Sequence, residues 1–232
     1  MRKKLLFVLA GIALATLQTA AQMKPNPRYA STYELDVYQD VSMVKVGKKW
    51  AQQSIKVRGG GQKPDIVTLT KAFNSVWKVD VVSEVLQLAK NPAFTRKTDA
   101  EYDLEIIVDR PNGYICVDNG GTDGEYMESC VWRRTNGHRL FAIVLGDPTD
   151  PEIELVCFYD YNPATETLTP EQSPADTFQP KSEFYSYALP RIGKDFAIVE
   201  YMLSDDDFDI KHVYSFDGMK HAWTKDEKVP KR

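Results

Sequence analysis

The sequence predicts an α+β fold: a predominantly antiparallel β meander of about five hairpins, curled or partly closed, with one or two helices packed on it. Three observations carry this. Turn signals centred on residues 112, 136, 162, 192 and 217 recur at a nearly constant interval. Apolar residues switch to a helical period between residues 64 and 92. Several strand-like runs (RLFAIVL, IELVCFY, DFAIVEYML) are apolar at odd and even positions alike, the pattern of strands covered on both faces.

Residues 1–22 read as a secretory leader. Arg2, Lys3 and Lys4 precede an apolar run from Leu5 to Leu17, and Thr19-Ala20-Ala21 offers small residues for cleavage before Gln22. The run is short for a bilayer core of about 30 Å, and no cysteine follows it for lipid attachment. The expectation is a periplasmic or secreted protein with no stable membrane insertion once the leader is removed. Residues 23–63 form an extended lead-in with two or three short strands, from Tyr33 to Val57, ending in Arg58-Gly-Gly-Gly-Gln-Lys63. That triple glycine lacks the Gly-Lys-Ser/Thr of a phosphate loop and reads as a flexible connector.

In the 64–92 segment, Ile66, Leu69, Phe73 and Val76 recur at steps of three and four after Pro64-Asp65, a helix-start dipeptide. Val82, Val85, Leu86 and Ala89 continue the period until Asn91-Pro92 stops it, so one kinked helix or two consecutive helices fit. The apolar face predicts burial of Phe73 and Val76 against the strands that follow. Residues 93–232 make the meander and one domain with the helical segment. Pro111-Asn112-Gly113, Thr135-Asn136-Gly137, Tyr161-Asn162-Pro163, Arg191-Ile192-Gly193 and Phe216-Asp217-Gly218 each divide two short apolar or aromatic runs, as hairpin turns do. A closed propeller needs more chain than this.

Composition narrows function. The chain has 232 residues and a net charge of −4, and loss of the three basic leader residues takes it to −7. That sign argues against nucleic acid or an anionic membrane as partner, since both select Lys/Arg patches. His138, His212 and His221 are the only histidines, each close to a hairpin turn and none at helical spacing from another. No local signature of a serine hydrolase, zincin or thiol redox enzyme occurs. Acidic stretches at Asp147–Glu154 and Asp205–Asp209, and the DNGGTDGE loop at 118–125, lack calcium-loop spacing. No catalytic residue, metal site or cofactor is therefore assigned.

Of three cysteines, Cys116 and Cys130 flank the DNGGTDGE loop. A turn centred on Asp123 sets them opposite each other, within reach of a disulfide; as buried thiols they fit equally well, and Cys157 reads as a buried thiol. Alternation along the strands offers Trp132, Tyr159, Tyr161, Tyr185 and Tyr187 as outward aromatics for sugar stacking or a protein interface.

The leader, with CFYDYNPATETLTPE (157–171) and VYSFDGMKHAWTKD (213–226), resembles uncharacterised exported proteins of Bacteroidetes-type gut bacteria. The resemblance implies export and supplies no activity. The leading expectation is an exported, non-enzymatic binding or interaction module with a protein or glycan partner, accessory to envelope or glycan handling. The rivals are a secreted hydrolase with a glycosidase-type carboxylate site, and an inhibitor of a periplasmic enzyme that presents a loop such as 118–125 or 171–182.

Overall fold

The computed structural model describes residues 50–118, 126–147, 150–182, 184–202 and 207–231. The leader, the strands expected before residue 50, and most of the 118–125 loop lie outside the described residues.

Asp65 starts the first helix by accepting a 2.8 Å hydrogen bond from the Thr68 N–H, filling one of the helix's open donors. The helix, α1 (Ile66–Trp77), ends at Lys78 in the left-handed region (φ 56). A second helix, α2 (Asp80–Leu88), follows at once, so the segment is two helices. Asn74 joins them: its Oδ1 accepts from Val79 N–H at 2.7 Å and its Nδ2 donates to Ser83 Oγ at 2.8 Å. Arg110 closes the far end, donating to the carbonyls of Ala89 (2.7 Å) and Phe94 (3.1 Å), where a cation meets the negative end of α2.

The strands are β1 (Ile55–Lys56), β2 (Arg96–Asp99), β3 (Leu104–Asp109), β4 (Tyr114–Asp118), β5 (Tyr126–Arg133), β6 (Arg139–Asp147), β7 (Asp150–Asn162), β8 (Thr167–Glu171), β9 (Tyr185–Ala188), β10 (Phe196–Glu200), β11 (Phe208–Phe216) and β12 (His221–Pro230). All pairings are antiparallel. All five hairpins are present, but they divide between two sheets rather than forming one curled sheet. Eight strands run in the order β1-β8-β7-β6-β5-β4-β3-β2, and four in the order β12-β11-β10-β9. Neither closes into a barrel.

The division explains the runs that are apolar on both parities. One face of the large sheet, with Ile115, Phe141, Ile143, Leu155, Cys157 and Tyr159, packs under α1 and α2 around Phe73 and Trp77. The other face, with Cys130, Trp132, Leu140, Ala142, Val144 and Phe158, packs on Tyr185, Tyr187, Phe196, Ile198 and Tyr214 of the small sheet. The molecule thus has three layers, helices, large sheet and small sheet, with two apolar cores. As expected, Phe73 is fully buried; Val76 is half-buried at the edge of the first core.

The hairpin tips gather at one end. Thr135 N–H donates to Gly218 O (2.9 Å), Trp132 Nε1 to Lys194 O (3.0 Å), and Arg191 pairs with Asp109 (2.8 Å). In the first tip Gly113 adopts φ +67, and a Cβ there would meet Val131 at 2.6 Å, so glycine alone fits. The triple glycine is held rather than loose. Tyr161 Oη donates to Gly61 O at 2.7 Å, Gly61 N–H to Glu166 at 2.8 Å, and a Cβ on Gly60 would strike the tyrosine oxygen.

Strand β9 is an edge of the small sheet, and its outward N–H groups point into the large one. Tyr187 N–H donates to both Glu154 oxygens at 3.0 Å, and Leu189 N–H to Glu128 at 2.7 Å. Two carboxylates thereby take the place of a neighbouring strand.

Candidate functional site

None of the five aromatics expected to face outward does so. Tyr159 and Tyr161 share a face with the helix-side core and are fully buried. Trp132, Tyr185 and Tyr187 are buried between the sheets. The expectation rested on one wet face per strand, whereas the central strands have none. Cys116 and Cys130 are free thiols. The observed register pairs Cys130 with Tyr114 and Cys116 with Glu128, two residues away from the symmetry about Asp123. A two-residue displacement keeps both side chains on one face but sets them diagonally, with Cα atoms about 7–8 Å apart, beyond the roughly 4.4–6.8 Å that a disulfide spans. Burial, then the Glu128 charge, pushes the Cys116 thiol up to about 12, and burial pushes Cys130 to about 12 as well.

Among the described residues the exposed aromatics are Tyr102, Tyr201 and Trp223 of β12, and of these Trp223, 57% accessible, lines a cleft. That cleft, of ≈390 Å³, is bounded by β11, β12 and the 174–179 segment. That segment is a short 3-10 turn, Pro174–Thr177, closed by a capping box between Ser173 and Asp176. The cleft is lined by Thr177, Phe178, Gln179, His212, Tyr214, Trp223 and Asp226, among others. The indole is fixed in place: its Nε1 donates to Asp226 Oδ1 at 2.9 Å. That bond, with help from His212, holds the Asp226 carboxyl below its ordinary pKa.

His212 is gripped from both sides. Its Nδ1 lies 2.8 Å from Asp226 and its Nε2 3.1 Å from buried Glu200, contacts that are both hydrogen bonds when each ring nitrogen carries a proton. The other Glu200 oxygen accepts from the N–H groups of Lys181 and Ser182 (2.6 Å to the latter). Phe178 lies 4.7 Å from the imidazole. Three strands and the 178–182 segment therefore converge on one ring, and they set the shape of the cleft.

A second cleft of ≈370 Å³ adjoins the first, sharing Pro174, Thr177 and His221 with it and adding Leu140, Phe158, Glu171 and Lys220. His221 separates the two. Its Nε2 bonds to Lys194 O at 3.1 Å, its Nδ1 is sealed without a partner, and burial lowers its pKa to about 4. A third hollow, ≈640 Å³, lies at the tips of the second and third hairpins and shares Glu171 with the second. There Arg134 binds Asp160 (2.5 Å) and Glu171, while His138 Nδ1 contacts the other Asp160 oxygen at 2.7 Å. Burial works against the Arg134 charge, but Glu171 and Asp160 outweigh it and raise the pKa.

Sequence reasoning missed Trp223, Asp226 and His212. No pattern marked Trp223: alternation would set it on the same face as His221, two residues before it, whereas β12 is exposed from Ala222 to Asp226. The 171–182 segment that completes the cleft has no periodicity to read.

The architecture defines a class: a two-sheet antiparallel α+β domain with helices on one outer face and an aromatic, polar cleft at the open margin between the sheets. No protein-family model matches the chain, and no curated protein matches it. A solved structure described as a domain of an uncharacterized protein from Porphyromonas gingivalis W83, a Bacteroidetes bacterium, is similar over 71% of this chain and 98% of that domain, at 12% identity and a TM-score of 0.42. No helix among the described residues is long and apolar enough to cross a membrane.

Proposed function

We propose that the protein is an exported, non-enzymatic binding module that takes a glycan in the cleft ending at Trp223. The observation that carries this is the indole itself. It is more than half exposed, oriented by Asp226, and set against Gln179, Thr177 and His212, so a sugar ring can stack on an apolar face while its hydroxyls meet donors and acceptors. Binding is favoured over hydrolysis because the acids at the clefts are already engaged. Asp226 serves His212 and Trp223, Glu200 serves two backbone N–H groups and His212, and Asp160 and Glu171 share Arg134. A glycosidase needs a carboxyl pair free to act on the substrate.

The other three tryptophans, Trp50, Trp77 and Trp132, are buried, so acrylamide quenching reports on Trp223. The test is a glycan array followed by calorimetry on the strongest hit. Binding should protect the fluorescence from acrylamide, and Trp223→Ala should lower affinity by at least about tenfold, as loss of a central aromatic anchor does. An array with no hit, or an alanine variant that binds as tightly, overturns the reading. Export is tested by N-terminal sequencing of protein recovered from its host: a start at or near Gln22 supports it, and an intact Met1 refutes it.

A further inference from the structure

Arg139 carries a charge that nothing among the described residues answers. It opens β6, is 9% exposed, and makes no ion pair and no side-chain hydrogen bond among the described residues. Its Nε is sealed from solvent without a partner; the two terminal nitrogens are not sealed, so they remain reachable. Directly across the strand pair stands Arg133, exposed and also without an ion pair among the described residues. Like charges placed opposite each other repel, and burial together with Arg133 depresses the Arg139 pKa. A buried unpaired guanidinium is costly enough that proteins seldom keep one without a partner.

The described residues around it do not supply that partner. Arg139 lies on the helix-side parity of β6, with Phe141 and Ile143, and its neighbour across β7 is Tyr161, already bonded to Gly61 O. The acids of the same hairpins, Asp160 and Glu171, lie on the opposite face and are held by Arg134. Glu166 is occupied by the Gly61 N–H. We infer that Arg139 and Arg133 form a binding site for a doubly charged tetrahedral oxyanion of the phosphate or sulfate type. Two guanidiniums, each able to give paired N–H donors, match such an ion in charge and in number of acceptors. The site lies across the large sheet from the Trp223 cleft and does not depend on the glycan reading.

The test is thermal unfolding with 50 mM sodium phosphate or sulfate against sodium chloride and sodium acetate at equal ionic strength. Phosphate and sulfate should raise Tm by roughly 4 °C or more for a site of millimolar affinity, and singly charged acetate should not. Arg139→Met keeps the apolar stem and removes the charge, so it should fold, show a higher Tm in chloride than the parent, and lose the phosphate response. Arg133→Gln, a surface change, should weaken phosphate binding by calorimetry about tenfold. Glycerol 3-phosphate separates an esterified phosphate, which would bind at least as well as the free ion, from inorganic phosphate alone; either outcome supports the site. A parent protein that responds equally to chloride and phosphate, an Arg139→Met variant that responds like the parent, or equal shifts with acetate overturns it.

Discussion

His221 should make the fold sensitive to acid in a defined window. Its ring is packed against Trp132 at 4.6 Å and Phe216 at 5.0 Å, with Phe158 and Phe196 each at 6.1 Å. In that setting burial lowers its pKa from 6.5 to about 4. The unfolded chain takes up a proton as pH falls through 6.5, while the folded chain resists until about 4. The preference for a neutral ring therefore stabilises the fold above pH 6.5 and is lost as pH falls towards 4. A shift of about two and a half units corresponds to about 3 kcal/mol. His221→Phe fills the same apolar site without titrating. It removes one of the two donors to the Lys194 carbonyl, Trp132 Nε1 remaining, and that loss does not change with pH. Urea unfolding of both proteins at intervals from pH 7 to pH 4 should give a stability difference that moves by about 3 kcal/mol in favour of the variant as pH falls. Proton NMR should find the His221 ring still neutral at pH 5. A difference that stays flat, or a His221 ring protonated by pH 5, refutes the reasoning.

Phe73→Ala should cost about 3–5 kcal/mol in urea unfolding, because the ring is fully buried among Trp77, Phe141 and Tyr159 and its loss leaves a cavity; a loss below about 1 kcal/mol would show that α1 is not part of the core. Iodoacetamide at pH 8 should leave Cys116, Cys130 and Cys157 unmodified in the folded protein and label all three in urea, since burial holds each thiol protonated. A Cys116–Cys130 disulfide found by mass spectrometry would contradict the register that pairs Cys130 with Tyr114.

The hairpins were legible because each depends on a few adjacent residues: Asn-Gly, Asp-Gly or Asn-Pro between apolar runs specifies a reversal whatever the rest of the chain does. Burial on both faces was legible too, since a strand such as RLFAIVL has no polar parity to give to water. What covers each face was not. The meander breaks into two sheets between Glu171 and Tyr185, in a stretch with no strand pattern, and that break turns the second pair of hairpins back over the first three. The choice of aromatics failed for the same reason. Tyr159 and Tyr161 alternate with Phe158 as surface residues would, yet the helices close over them. Trp223 lies in the edge strand β12, which is exposed from Ala222 to Asp226. The cysteine register failed by two residues, an error that alternation cannot detect because it leaves every side chain on the same face. Arg139 was invisible for a different reason: a charge at a strand start is ordinary, and only the three-dimensional neighbours show that it has no counterion among the described residues.

The carboxylates of Glu154 and Glu128 that meet the N–H groups of β9 bear on how this chain behaves when crowded. An open strand edge is a template on which another copy can add, and a sandwich of short hairpins has several such edges. Here one edge of the small sheet is spent on its own larger neighbour, so a second molecule would have to displace two charge-assisted contacts before it found a free donor. The opposite edge, β12, carries Lys225, Asp226, Glu227 and Lys228 in succession, and a strand approaching it would have to bring matching charges or strip water from these. Growth into ordered aggregates is thereby discouraged at both margins by different means, one by occupation and the other by hydration.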